Sequence, residues 1–321
     1  MLRNKAQTAK RRATIGLLAL AVAASSWALD NAPFERIVVF GTSLSDPGNA
    51  FALRGDTNTP PDYLVDPFLV PDAPYAKGGH HFTNGTTWIE QFARRLGLAG
   101  SVRPAFRGSG GATNYAVGGA RAYDDGVSLN LSDQVQQFLE DFGGAAPSNA
   151  LYVIEMGGND LRDALVTAVG GGDPVAILLE AVTSIAANIT QLHSAGARDF
   201  LVWRTPDVGL TPAISSIPGG PDAAGQLTLA FNGGLDGVLA QLSVALSDLQ
   251  VERLDVYTTI NAIVAAPDDF GFSDVTEPCL TPGIPPFSCK SPDTFFFWDG
   301  IHPTRAVHAI IAQEAASVLT P

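Results

Sequence analysis

Five short apolar runs punctuate this chain: RIVVF (36–40), TNYAV (113–117), ALYVIEM (150–156), DFLVWR (199–204) and RLDVYT (253–258). Most are continuous rather than alternating in hydrophobicity. A strand with one wet face alternates polar and apolar residues, whereas a continuous run suits a strand covered on both faces. Helix-length patterns lie between the runs. TNGTTWIEQFARRLG (83–97) sets Trp88, Phe92 and Leu96 at helical spacing before a stopping glycine. LSDQVQQFLEDFGG (131–144) does the same with Val135, Phe138, Leu139 and Phe142, and longer helical segments cover 174–195, 223–249 and 304–319. Strands alternating with helices predict an α/β fold with a doubly wound, mostly parallel sheet. The irregular stretches 54–83, 101–112, 205–221 and 266–298 far exceed the ~4–6 residues of ordinary connections, so they are expected to wall a site.

With 321 residues, 46% of them hydrophobic, the chain can fill one large α/β core. Its net charge of −13 argues against nucleic acid, whose phosphates require a basic surface, and against adsorption to anionic membrane. Uncharged ester substrates are not excluded. Arg3, Lys5, Lys10, Arg11 and Arg12 precede an apolar run from Ile15 to Ala24 and then small residues through Ala28. That order, with an apolar run too short to span a bilayer and a Ser26-x-Ala28 site, reads as a secretory signal over 1–28. Residues 29–321 are then expected to form a single secreted, soluble domain, with no later stretch apolar and long enough to anchor it in a membrane. The two cysteines, Cys279 and Cys289, lie in a Pro-rich loop, and in an exported protein they read as a disulfide. No cluster of soft ligands stands near them for a metal.

FGTSLSDPGN (40–49) follows the first strand, so Ser43 falls at the carboxyl rim of the sheet, where ligands collect in open α/β folds. Asp46-Pro47 looks like the start of a helix, with Ser45 and Asp46 in turn and cap duties. A serine hydroxyl is a poor nucleophile until a base takes its proton. Of the five histidines, His193 and His308 sit in helices and His80 and His81 in a glycine loop. His302 differs, because FFFWDGIHPT (295–304) places Asp299 three residues before it. On a tight turn that carboxylate can hold one imidazole nitrogen and leave the other to face Ser43. EMGGND (155–160) ends another strand and offers the Asn159 amide to a developing oxyanion. NYAVGGARA (114–122) brings paired glycines, and thus accessible backbone N–H groups, to the same rim. Each segment alone is equally an ordinary turn.

Taken in order, these four segments resemble the blocks of the SGNH hydrolases, also called GDSL-type lipases and esterases, from about residue 36 to 308. The resemblance implies a three-layer α/β/α sandwich with a mostly parallel, flavodoxin-like sheet. It implies a serine esterase or lipase that acts on small-molecule or lipid esters through an acyl-enzyme and needs no cofactor or metal. Ser43 would be the nucleophile, His302 its base and Asp299 the orienting acid. The oxyanion hole would comprise the N–H of Ser43, the Asn159 amide and the N–H of Gly119, with Gly118 as the alternative register. One position departs from the pattern: the family's GDSL reads Gly41-Thr42-Ser43-Leu44, with threonine in place of aspartate. Thr42 is expected to tune the turn rather than abolish activity. The chain leaves no room for the C-terminal outer-membrane barrel of some exported relatives, so release as a free domain is expected. An acyltransferase using an alcohol acceptor would share every one of these residues. A carbohydrate acetylesterase and a non-catalytic secreted binding module stand as further alternatives. The G-x-S-x-G elbow of ordinary α/β-hydrolases is incomplete here, since Ser45 occupies the second glycine's place.

Overall fold

The computed structural model of the protein describes residues 33–53, 55, 81–108, 110–280 and 288–319. The signal expected over 1–28 and most of the loop expected over 54–83, His80 included, lie outside the described residues. Four parallel strands form the main sheet: β1 (Arg36–Gly41), β2 (Ala150–Glu155), β3 (Asp199–Arg204) and β4 (Gln250–Asp255), hydrogen-bonded in that order. The helices are α1 (Asn49–Leu53), α2 (Trp88–Arg95), α3 (Leu131–Asp141), α4 (Gly158–Val169), α5 (Pro174–Ala195), α6 (Pro212–Ser215), α7 (Gly220–Ala245), α8 (Val256–Ala265) and α9 (Arg305–Val318). A second, two-stranded sheet pairs β5 (Asp274–Pro278) with β6 (Phe295–Phe297).

The apolar strand runs serve two cores at once, because successive side chains point to opposite faces. Val38, Phe40, Tyr152, Ile154, Phe200 and Val202 pack with α3, α4, α5 and α7 on one face. Ile37, Val39, Leu151, Val153, Leu201 and Trp203 pack with α2, α8 and α9 on the other. This is the α/β/α sandwich, and it accounts for the absence of alternation in the strand sequences.

Three expectations change in the structure. The segment 113–117 is extended and runs beside β1 through Val39 N to Thr113 O (2.9 Å), Tyr115 N to Val39 O (2.8 Å) and Val117 N to Gly41 O (3.1 Å). It forms only isolated bridges, since Thr113 N turns away to Ser101 O and Ala116 N bonds the Asn114 side chain. It still flanks β1 opposite β2, so the chain order reverses at β1 and opens a crevice between the carboxyl ends of β1 and β2. The run 253–258 ends as a strand at Asp255, whose side chain accepts from Thr258 N and starts α8. Its β-branched residues had disguised a helix start. Lastly, α5 meets the length and apolarity of a membrane span, contrary to expectation. In this fold its Leu178, Ala181, Val182, Ile185, Ile189 and Leu192 face the first core.

Candidate active site

Ser43 stands just past the end of β1, on a turn tied to its surroundings at nearly every other residue. Gln134 of α3 accepts from Gly41 N at 2.9 Å and donates to Gly41 O at 3.0 Å. Glu155 closes β2 directly opposite Gly41 and accepts from Thr42 N at 2.9 Å and Thr42 Oγ1 at 2.9 and 3.1 Å. Ser45 also bonds Glu155, while its Oγ accepts from Trp88 Nε1 at 2.9 Å. A Cβ on Gly41 would stand 2.9 Å from Glu155 Oε2, so a larger residue there would have to displace the Glu155 carboxyl. Asp46 does more than cap. Its carboxylate accepts from Gly48 N, Asn49 N and Ala50 N, and from Gly118 N of a distant loop. The helix it serves starts at Asn49, two residues later than the Pro47 start that Asp46-Pro47 suggested.

The imidazole that meets Ser43 arrives from the other end of the chain. Asp299 is fully buried; its Oδ1 accepts from Ile301 N (2.9 Å) and His302 N (2.7 Å), and its Oδ2 meets His302 Nδ1 at 2.7 Å. His302 Nε2 lies 2.8 Å from Ser43 Oγ, across 259 residues of sequence. With Nδ1 donating to the carboxylate, Nε2 is left to accept the serine proton. The Phe82 ring lies 5.3 Å from the imidazole, centroid to centroid. The Asp299–His302 turn is closed by Trp298 N to His302 O and Thr304 N to Phe296 O. The Cys279–Cys289 disulfide is present and packs with Trp298 beneath this turn, where Cys279 N and Leu280 N bond Phe297 O and Trp298 O.

The first turn of α4 and the loop 118–123 supply further donors. Asn159, read from the sequence as part of a glycine turn, belongs to the helix, and its Nδ2 donates one hydrogen to Ala120 O at 2.8 Å. Asp160 beside it accepts from Ala122 N (2.8 Å) and Tyr123 N (3.2 Å) and so stitches the loop to the helix. Gly118 N is committed to Asp46, whereas Ser43 N and Gly119 N make no hydrogen bond among the described residues. Gly119 holds φ +90°, a conformation that favours glycine. Burial shifts several carboxyls upward: Glu155 to about 7, against the pull of the Thr42 and Ser45 bonds, and Asp160 to about 6.

Ser43 and His302 open into a cleft of about 770 Å³, counting solvent at its mouth, walled by Leu44, Met156, Trp203, Pro206, Val208, Ala213, Ile214 and Ile301. The expected wall 205–221 thus delivers residues to the site. Phe296 and Phe297 of the 266–298 stretch pack instead into the second core. Of the remaining histidines, His81 is fully buried with Nε2 2.7 Å from Glu90 Oε2, and His193 meets Asp248 at 2.8 Å. Neither reaches the cleft. Glu155, Gln134, Asp160 and Phe82 were not singled out from the sequence. Glu155 alone left a trace there, as the one charged residue in the apolar run 150–156.

The GDSL-like lipase/acylhydrolase family model matches residues 37–315. Lipase 1 of Photorhabdus luminescens is 25% identical over 95% of this chain, and the chain spans 52% of that protein's length. A GDSL esterase/lipase of Arabidopsis thaliana is 25% identical over 88% of the chain and 85% of its own length. Among solved structures, the extracellular lipase of Streptomyces rimosus covers 88% of this chain and 99% of its own, with a TM-score of 0.42 and 15% identity.

Proposed function

The chain belongs to the GDSL-like lipase/acylhydrolase family, and from that premise we propose that it hydrolyses carboxylic esters through an acyl-enzyme formed on Ser43. The reading rests on one observation: Ser43 Oγ, His302 Nε2, His302 Nδ1 and Asp299 Oδ2 form an unbroken line of contacts at 2.8 and 2.7 Å. His302 takes the serine proton as Oγ attacks the ester carbonyl, and the buried Asp299 stabilises the imidazolium. The oxyanion is received by Ser43 N, Gly119 N and the second hydrogen of Asn159 Nδ2. Gly118 is passed over because Asp46 already holds its N–H. His302 then protonates the departing alcohol, and a water activated by the same nitrogen releases the acid. The apolar walls of the cleft favour an acyl chain as occupant. Residues 1–28 act as the secretory signal and 29–321 as the exported domain, in keeping with the disulfide.

The test is hydrolysis of a p-nitrophenyl ester series from acetate to palmitate by the mature protein, with Ser43→Ala and His302→Ala alongside. Both variants should fold and lose activity; undiminished hydrolysis by Ser43→Ala overturns the reading. Ester products formed in the presence of an added alcohol would mark an acyltransferase. Mass analysis of exported protein locates the cleavage at Ala28.

A further inference from the structure

We propose that Glu155 is the positioning residue of the nucleophile, acting through Thr42, and that the two form one coupled device. This rests on the assignment of Ser43 as nucleophile. Among the described residues Ser43 itself makes no hydrogen bond besides that to His302, so its place depends on its neighbours. Residue 41 is clamped by Gln134 and residue 45 by Trp88. Between them, Glu155 holds the turn from the side through both the N–H and the hydroxyl of Thr42, and it also bonds Ser45.

The pairing explains the departure of this chain from its family's pattern. Glu155 projects from the end of β2 into the space beside Gly41 and is 2% exposed. A carboxylate buried there needs donors, and threonine supplies two, one from the backbone and one from Oγ1. The family's aspartate at position 42 would instead set a second carboxyl against Glu155 in a buried site, where the two would have to share a proton. The buried carboxyl that faces residue 42 is therefore carried by the neighbouring strand, and residue 42 is its donor. Asp160 on α4 is the charged group that acts on Glu155, and Arg162 and His302 share the cleft lining with it. The consequence for catalysis is geometric. The same bonds aim Ser43 N at the oxyanion and Oγ at His302, so loosening them degrades the transition state more than substrate binding.

The experiment compares Glu155→Gln, Thr42→Val, Thr42→Ser and the double variant Glu155→Gln/Thr42→Val with the wild-type protein on one p-nitrophenyl ester. Glu155→Gln and Thr42→Val should each lower kcat about 100-fold with KM little changed. Thr42→Ser, which keeps the hydroxyl, should restore most of the activity, and the double variant should be no worse than the poorer single. Labelling of Ser43 by an alkyl phosphonate should slow in parallel with kcat. Wild-type kcat in either single variant, or losses that multiply in the double, overturns the proposal. If Glu155→Gln does not fold, Thr42→Val, which only exchanges a hydroxyl for a methyl, decides alone. Activity persisting in Ser43→Ala would reject the nucleophile itself, a failure distinct from that of Glu155.

Discussion

His308 gives the sharpest test of how this fold is held. It lies in α9, 2% exposed, and its Nδ1 accepts from Trp88 N, the first residue of α2, at 3.1 Å. Burial pushes the imidazole from 6.5 down to about 3, with His302 and His81 adding to the shift and Glu90 opposing it. Below pH 6.5 the unfolded chain's imidazole takes up a proton that the folded one refuses until about pH 3. Stability is therefore lost as pH falls through that window and is flat above it. By pH 5 the loss from this group reaches about 2 kcal/mol. His308→Leu removes the titration but orphans the buried Trp88 N–H, which costs about 1–3 kcal/mol at every pH. The variant should thus be the weaker protein at pH 8, and its deficit should shrink by about 2 kcal/mol at pH 5. Glu155 and Asp160 act in the opposite sense, since they hold protons when folded that the unfolded chain has released. They are common to both proteins and cancel in the difference. Urea unfolding followed by tryptophan fluorescence between pH 5 and 8 measures it. A deficit that stays constant with pH would refute the assignment of His308 as a neutral buried acceptor.

Asn159→Ala should lower kcat by about 10²–10³ with little change in KM, the cost of one lost oxyanion donor, read from steady-state ester hydrolysis. The double variant Cys279→Ser/Cys289→Ser should unfold about 3 kcal/mol more easily, by urea titration, because it frees a loop of sequence separation 10 beneath the Asp299–His302 turn. Gly157→Ala should fold poorly or not at all: φ is +118° there, and the new methyl would meet Thr205 Oγ1 and stand 2.6 Å from Phe231. Thermal melting or soluble yield decides that case.

Much of the architecture was legible because strand and helix periods are local properties of a sequence. The run 199–204 is β3 to the residue, and 174–195 is α5 to the residue. Where local signals conflicted, tertiary context decided. Val256, Thr258, Thr259 and Ile260 favour a strand by side-chain shape, yet the Asp255 cap and burial against the second core make them a helix. GGND carried two glycines and read as a turn, but Asn159 and Asp160 form the first turn of α4. Segment 113–117 had a strand's composition and lost full pairing because its polar groups found partners elsewhere.

The sequence by itself determined the kinds of group present: a serine after a strand, a D-x-x-H turn, an asparagine and paired glycines at strand ends, and a threonine where aspartate was expected. Those features are set by residue identity and near neighbours. Only the tertiary structure decided which of them meet and what each is free to do. His302 reaches Ser43 across 259 residues, Asp46 takes the N–H of Gly118 whereas that of Gly119 makes no hydrogen bond among the described residues, and Thr42 is bonded to Glu155 of another strand. Such facts arise from the parallel register of β1 and β2 and from the competition of buried polar groups for partners, and neither is written in any single stretch of the chain.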